Sequence, residues 1–249
     1  MNSRNTIGRL LELIKSCNGE LVALTGAGIS ADSGIPTFRG KDGLWNKYRP
    51  EELATPEAFR KDPVLVWEWY AWRMNLVFNA KPNDAHIALA LLERKGLLKA
   101  VVTQNVDNLH ERAGSKNVVH LHGRIDEVRC TECGRVERLN KAPETIPPVC
   151  DCGALMRPNV VWFGEPLPVD ALNLAVELCS QNSVIVIGTS AVVYPAAQLP
   201  YYAKNAGNTV VEVNPEITPL TDLADLSIRQ RAGEAFRQIR AILEAGDSP

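Results

Sequence analysis

Apolar residues fall along the chain in two rhythms. Ile7, Leu10, Leu11, Ile14 and Cys17 recur at helical spacing among charged residues, which predicts an amphipathic opening helix. Unbroken apolar runs of strand length come next: Leu21-Val22-Ala23-Leu24-Thr25, Ala100-Val101-Val102-Thr103, Val118-Val119-His120-Leu121, Val184-Ile185-Val186-Ile187 and Thr209-Val210-Val211-Glu212-Val213. Segments of helical period separate them. Strands apolar on both faces, alternating with helices, predict a parallel α/β sheet covered on both sides.

Two regions break the rhythm. From Pro36 to about Ala80 the chain carries Pro36, Pro50, Pro56 and Pro63 and four of its five tryptophans, which suits an inserted loop-and-helix module. From about Gly123 to Pro158 there is no long apolar run, only paired cysteines and a proline-rich stretch from Pro143 to Pro148, which suits a small domain held by metal. The expected organisation is a Rossmann-type domain formed by residues 1–36, 81–122 and 159–249, a helical insert at 37–80 and a zinc-binding module at 123–158. No repeat or low-complexity tract is present, and a short polar tail lies beyond Ala245.

Composition changes this picture only at its edges. A 249-residue chain with 45% apolar content can bury a sizeable core. Its 27 basic and 29 acidic residues nearly cancel, so the overall field gives no reason to expect a nucleic-acid or membrane-surface partner. No window approaches the ~20 consecutive apolar residues of a membrane span, and the charged first helix is no signal peptide. A cytoplasmic location is therefore expected. Thiols stay reduced there, so closely paired cysteines favour a metal over disulfides.

The cysteines are arranged as Cys130-x-x-Cys133, sixteen intervening residues, then Cys150-Asp151-Cys152, with Gly134 and Gly153 close behind each pair. Two short-range pairs brought together supply four thiolates in a tetrahedron, the arrangement of structural zinc, and leave no open position for catalysis. Cys17 and Cys179 lie on apolar helical rows and read as core thiols.

The first strand runs into Gly26-Ala27-Gly28-Ile29-Ser30-Ala31, a G-x-G-x-x-A turn. In a phosphate-binding reading Gly26 permits the tight turn, Gly28 lets backbone approach a pyrophosphate, and Ala31 lets the next helix pack on the strand. A hydride-transfer domain would continue into a second strand ending in an acid about 20 residues on; here the tryptophan- and proline-rich insert arrives instead. Gln104-Asn105-Val106-Asp107 comes directly after a strand end and sets polar groups at the carboxyl edge of the sheet, although Asn105 or Asp107 serves equally well as a cap for the helix carrying Leu109-His110. His122 stands where two inferred domains meet, a place suited to a general base as well as to a structural histidine. On the insert helix Val66, Tyr70, Arg73 and Val77 share one face. The arginine needs a partner, either an acid such as Glu68 or Asp84 or an anionic ligand held in a bidentate grip.

Taken together the motifs resemble the sirtuins, the NAD-dependent protein lysine deacylases, from about residue 20 to about 233. The resemblance rests on Gly26-Ala27-Gly28-Ile29-Ser30, Gly34-Ile35-Pro36-Thr37-Phe38-Arg39, Thr103-Gln104-Asn105-Val106-Asp107, His122-Gly123, the four cysteines, Gly188-Thr189-Ser190 and Val213-Asn214-Pro215. It implies a cleft between the Rossmann-type and zinc domains that receives NAD as co-substrate and an acyl-lysine from opposite sides. The NAD-contacting set it implies is Gly26, Ala27, Gly28, Ser30, Ala31, Thr37, Phe38, Arg39, Gln104, Asn105, Asp107, Gly188, Thr189, Ser190, Asn214 and Ala232. Within that set the Gly26 turn cradles pyrophosphate, Ser190 and Asn214 contact the adenosine half, Gln104 contacts the nicotinamide ribose, Asn105 and Asp107 surround the nicotinamide end, and Phe38 screens the reactive ribose carbon. His122 and Asn105 are the implied catalytic residues, with His122 as general base on a ribose hydroxyl, and one structural zinc ion sits on Cys130, Cys133, Cys150 and Cys152.

Tyr70 and Arg73 match the Tyr-x-x-Arg pair of the sirtuin branch that accepts succinyl and other dicarboxylic acyl groups, which implies that Arg73 pairs the distal carboxylate and Tyr70 hydrogen-bonds it. The implied products are free lysine, nicotinamide and O-acyl-ADP-ribose, and the implied partners are acyl-lysine proteins such as metabolic enzymes or chromatin proteins. Mono-ADP-ribosyl transfer is the nearest enzymatic alternative. A non-enzymatic NAD-sensing or nucleic-acid-binding zinc ribbon is disfavoured, because Arg124, Arg129 and Arg135 are interspersed with Glu127, Glu132 and Glu137.

Overall fold

The computed structural model describes residues 3–39 and 43–245; the polar tail beyond Ala245 lies outside the described residues. The chain runs α1 (Ser3–Ser16), β1 (Leu21–Thr25), α2 (Pro50–Leu53), α3 (Pro56–Lys61), α4 (Pro63–Asn79), α5 (Asp84–Arg94), β2 (Ala100–Thr103), α6 (Leu109–Ala113), β3 (Val118–His120), β4 (Gly123–Cys130), β5 (Val136–Arg138), β6 (Met156–Val160), α7 (Val169–Gln181), β7 (Ser183–Ile187), α8 (Leu199–Asn205), β8 (Val210–Val213), β9 (Leu226–Ile228) and α9 (Ala232–Ala245).

Six of the strands form one parallel sheet in the order β3-β2-β1-β7-β8-β9. Successive side chains of a strand point to opposite faces, and the two faces fill separately. Leu21, Ala23, Ile185 and Val211 pack with Leu10, Leu89 and Phe236 of α1, α5 and α9, whereas Val22, Leu24, Val184 and Val210 pack with Cys179, Leu199 and Ala203 of α7 and α8. This is the doubly covered parallel sheet anticipated from the apolar runs.

β4, β5 and β6 form a second, antiparallel sheet in the order β5-β4-β6. Its apolar side chains Ile125, Val128, Met156 and Val160 join Trp67, Tyr70, Met74 and Phe59 of the helical insert in one core. Asp62 and Thr55 accept from the backbone N–H groups of Leu65 and Ala58, capping α4 and α3, and a proline stands at the start of each helix where its missing N–H is not needed. No described helix is long and apolar enough to cross a membrane.

Candidate active site at the switch point of the sheet

The chain leaves β1 toward β2 on one side and β7 toward β8 on the other, so the loops after β1 and β7 part at the carboxyl edge of the sheet. Ligands of open α/β sheets bind at such a point. The two loops dovetail. Gly26 N–H donates to the Ile187 carbonyl (3.0 Å) and Gly28 N–H to the Gly188 carbonyl (2.8 Å). A Cβ on Gly26 would lie 2.8 Å from Gly188 O and Thr189 Cα, and one on Gly28 would lie 2.7 Å from Gly188 Cα. Real Cβ atoms do not approach backbone so closely.

This corrects the local reading of the glycine turn in two respects. Gly26 has φ −126°, extended backbone open to any residue, so close approach and not a tight turn demands glycine there. Beyond it the chain makes two 3-10 turns, Ala27–Ile29 and Ala31–Ser33, ending at Gly34 with φ 84°; half-buried Ala31 sits in the second of these turns and does not seat an α-helix on β1.

The polar row after β2 lies over this joint. Asn105, 7% exposed, donates from Nδ2 to the Gly26 carbonyl (3.1 Å) and to Ser30 Oγ (3.2 Å). Ser30 Oγ donates to Asp107 Oδ2 (2.9 Å), and Asp107 Oδ1 accepts from Leu109 N–H (3.1 Å). Asp107 therefore steadies the start of α6 and binds Ser30, while the Asn105 side chain ties Gly26 to Ser30 and does not cap α6. Burial pushes the Asp107 carboxyl up from its ordinary range.

Sequence reasoning missed the histidine beneath. Fully buried His86 receives the Asn83 backbone N–H at Nδ1 (3.3 Å), which leaves the ring hydrogen on Nε2, 3.4 Å from Ser30 Oγ. Burial, with His110 nearby, holds His86 well below the ordinary histidine range. The available signal was Asn83-x-x-His86 at the spacing of a helix capping box.

Half-buried His122 directs Nδ1 to the Gln104 carbonyl at 2.8 Å. A carbonyl only accepts, so Nδ1 carries the hydrogen, and the Nε2 lone pair meets no donor among the described residues. Burial lowers its pKa from 6.5, so the ring is neutral at pH 7. Gln104 Nε2 donates to Thr189 Oγ1 (3.0 Å), tying the β2 and β7 loops together. Asn214 Nδ2 donates to the Thr189 carbonyl (2.7 Å) and Asn214 Oδ1 accepts from Glu216 N–H (3.0 Å), so this side chain braces the end of β8. Ser190 is half-buried and adjoins Thr189 in sequence, and Ala232, 3% exposed, opens α9, where Gly233 N–H donates to Asp32 Oδ2 (3.1 Å).

The remaining candidates lie in the segment from Thr37 to Val77. In the loop before α2, Thr37 Oγ1 donates to the Arg39 carbonyl (2.9 Å), Arg39 is exposed and Phe38 is half-buried. Val66, Tyr70, Arg73 and Val77 are all buried on α4, as their spacing anticipates. Arg73, 7% exposed, is enclosed by aromatic rings: its Cζ lies 4.7 Å from the centroid of Phe38, 4.8 Å from Trp69 and 5.6 Å from Tyr70. Neither candidate acid pairs with it. Glu68 is exposed, and Asp84 is bound by Arg237 (3.0 Å) and Arg240 (2.9 Å). No carboxylate lies within ion-pair distance of Arg73 among the described residues. Burial lowers the Arg73 pKa and raises that of Tyr70.

The sulfurs of Cys130, Cys133, Cys150 and Cys152 all lie within 4.8 Å of one another. Four soft donors at that spacing fit a closed structural zinc site. The basic residues around them are largely neutralised: Arg124 faces Glu111, Asp126 and Glu127, and Arg135 faces Glu137 and Asp151. Cys179 is fully buried and its thiol is pushed up to about 12 by burial, while Cys17 packs against the sheet core.

Fold and site together define an α/β protein with a parallel sheet whose carboxyl edge carries a polar, hydrogen-bonded set of residues, a second antiparallel sheet, and a four-thiol cluster suited to zinc. Residues 26–195 match the model of the Sir2 family. The "NAD-dependent protein deacylase 1" of Archaeoglobus fulgidus is 61% identical over 222 residues, covering 88% of this chain and 91% of that protein. A solved Sir2 homologue–NAD complex superposes with TM-score 0.88 at 57% identity, covering 97% of this chain and 95% of the other. A Sir2 mutant complexed with a deacetylated peptide and 3′-O-acetyl ADP-ribose gives TM-score 0.88 at 41% identity, covering 98% and 100%. The chain belongs to the Sir2 family.

Proposed function

We propose that this protein is an NAD-dependent protein lysine deacylase that removes acetyl, succinyl and related acyl groups, yielding free lysine, nicotinamide and O-acyl-ADP-ribose. The observation that carries this reading is His122: a neutral imidazole whose Nδ1 is committed to the Gln104 carbonyl and whose Nε2 is free to take a proton.

Bound NAD would supply an electrophilic ribose carbon bearing a nicotinamide leaving group. The residues at the switch point have separable tasks. Gly26, Ala27, Gly28, Gly188, Thr189 and Ser190 form the floor for the phosphates and adenosine half, with Asn214 and Ala232 at its far edge. Ser30, Asn105 and Asp107, cross-linked by their own hydrogen bonds, orient the nicotinamide end. Ala31, Thr37 and Arg39 flank the entry of the cofactor loop, and Phe38 keeps water from the reacting carbon. Gln104 would hold the ribose; once the acyl oxygen has displaced nicotinamide from the ribose carbon, His122 would take the proton from a ribose hydroxyl whose oxygen attacks the acyl carbon, so that the lysine amine leaves and water completes O-acyl-ADP-ribose.

Arg73, a buried cation with no carboxylate within ion-pair distance among the described residues, pairs the distal carboxylate of a succinyl group, and Tyr70 hydrogen-bonds it. Zinc on the four cysteines fixes the smaller lobe and stays outside the chemistry. The proposed division is 1–36, 81–122 and 159–249 for the NAD-binding domain, 37–80 for the insert and 123–158 for the zinc module; substrates are acyl-lysine proteins, metabolic or chromatin-associated, met in the cytoplasm without direct binding to nucleic acid.

The test incubates the protein with NAD and matched acetyl- and succinyl-lysine peptides and tracks products by mass. Nicotinamide and O-acyl-ADP-ribose that disappear with His122→Ala are expected. ADP-ribose attached to protein would overturn the reading in favour of transfer, and unconsumed NAD in favour of a binding module. Arg73→Met should lower desuccinylation relative to deacetylation by about tenfold or more, as loss of a charged hydrogen bond does.

A further inference from the structure

Trp162, on the segment just past β6, is 3% exposed, and its Nε1 donates to Tyr70 Oη at 2.9 Å. An indole N–H can only donate, so the phenol oxygen must accept here, and the phenol's own hydrogen is left to be given elsewhere. Among the described residues it meets no acceptor. Trp162 itself is fixed from several directions. Arg157 Cζ lies 3.4 Å from its ring centroid, and the Phe59 ring lies 5.4 Å away. Glu165 accepts the Trp162 backbone N–H (2.8 Å) while holding Arg157 through two oxygens (2.6 and 2.9 Å), and Arg157 also donates to the Val160 carbonyl (2.9 Å). Packing alone would bury an indole without this clamp of charge around it.

We propose that Trp162 is a positioning residue for acyl selection: its indole N–H turns the Tyr70 hydroxyl so that the phenol hydrogen and the Arg73 guanidinium converge on the distal carboxylate of a dicarboxylic acyl-lysine. The inference rests on the acyl-pocket reading of Tyr70 and Arg73. A phenol rotor left free would spend part of its time directing a lone pair at the carboxylate, which repels it. An acetyl group has no distal carboxylate and is indifferent to the rotor. Trp162 thus acts on selectivity and has no part in the chemical step.

The experiment measures kcat and KM for succinyl- and acetyl-lysine peptides of one sequence, with zinc content and melting temperature as checks of folding. Trp162→Phe is expected to lower the succinyl-to-acetyl ratio of kcat/KM about tenfold, through KM for the succinyl peptide. Replacing Trp162 by benzothienylalanine, which keeps the bicyclic ring and removes the N–H, should do the same and decides the matter if Trp162→Phe does not fold. In a Tyr70→Phe background Trp162→Phe should leave the ratio where Tyr70→Phe put it, because the hydroxyl through which it acts is gone. Additive losses, or a fall in kcat alone, would overturn the inference in favour of ordinary core packing. If Arg73→Met and Tyr70→Phe themselves leave the ratio unchanged, the acyl-pocket reading fails and this inference with it; if they lower it and neither Trp162 replacement does, the inference alone fails.

Discussion

The two lobes are held together by different physics. In the large sheet, β1 is buried along its whole length, Leu21 and Ala23 serving one face and Val22 and Leu24 the other, and its stability is spread over many non-directional contacts. The smaller lobe has a core too, but one tied by bonds with direction: Trp67 Nε1 to the Met156 carbonyl (2.8 Å), Trp162 Nε1 to Tyr70 Oη, the Arg157–Glu165 pair and four thiols around one point. Contacts of the first kind tolerate small changes because neighbours share the loss. Bonds of the second kind fail one atom at a time.

Removing zinc should break this contrast open most widely, since structural zinc is worth about 10–16 kcal/mol in small domains. With Cys133→Ser, or after chelation, the amides of β4 and β6 should lose protection in hydrogen exchange while those of β1 and β7 keep it; simultaneous loss in both lobes would show them to be one cooperative unit. Next in size is His122→Ala, expected to lower kcat by about 10²–10⁴-fold with little change in melting temperature. In the unmutated protein kcat/KM should hold on the alkaline side and fall with acid through a pKa below 6.5, because His122 in the proposed role of base works when neutral and burial depresses its pKa.

The polar floor under the large sheet's edge gives a third test. His110 is buried, with Nε2 3.0 Å from Thr25 Oγ1, and its pKa is lowered by burial from 6.5 to about 4. Unfolding releases a ring that protonates first, so stability is full above pH 6.5 and is lost as pH falls toward 4. The loss from this residue is about 3 kcal/mol. Urea midpoints at pH 7 and 4.5 should differ accordingly, and the difference should shrink in His110→Leu. Smallest is Gly26→Ala, whose Cβ meets Gly188 and Thr189 and should cost about 1–3 kcal/mol; a melting temperature equal to the parent's would remove the steric account of the joint.

The same contrast explains what could be read from residues alone. The five apolar runs lie in the large sheet because burial on both faces writes itself into sequence, although β3 ends at His120, β8 begins at Val210, and the sixth strand, Leu226-Ser227-Ile228, is too short to announce itself. β4 escaped notice because Arg124, Asp126, Glu127 and Arg129 interrupt its apolar side chains, and the pairing of Arg124 with Asp126 and Glu127 is visible only when folded. Local spacing placed the cysteines and the α4 face. It could not foresee that Arg73 would be met by aromatic rings in place of Glu68 or Asp84, that His86 would sit beneath Ser30, or that Trp162 would reach Tyr70, because those meetings join segments far apart in the chain.

The dovetail of Gly26 and Gly28 with Gly188 constrains anyone recombining this chain with a relative. A chimera whose crossover falls between residues 28 and 188 takes one half of the joint from each parent. It will assemble only where both parents leave the same emptiness on both loops, so the two segments have to be inherited as a single cassette however far apart they are encoded.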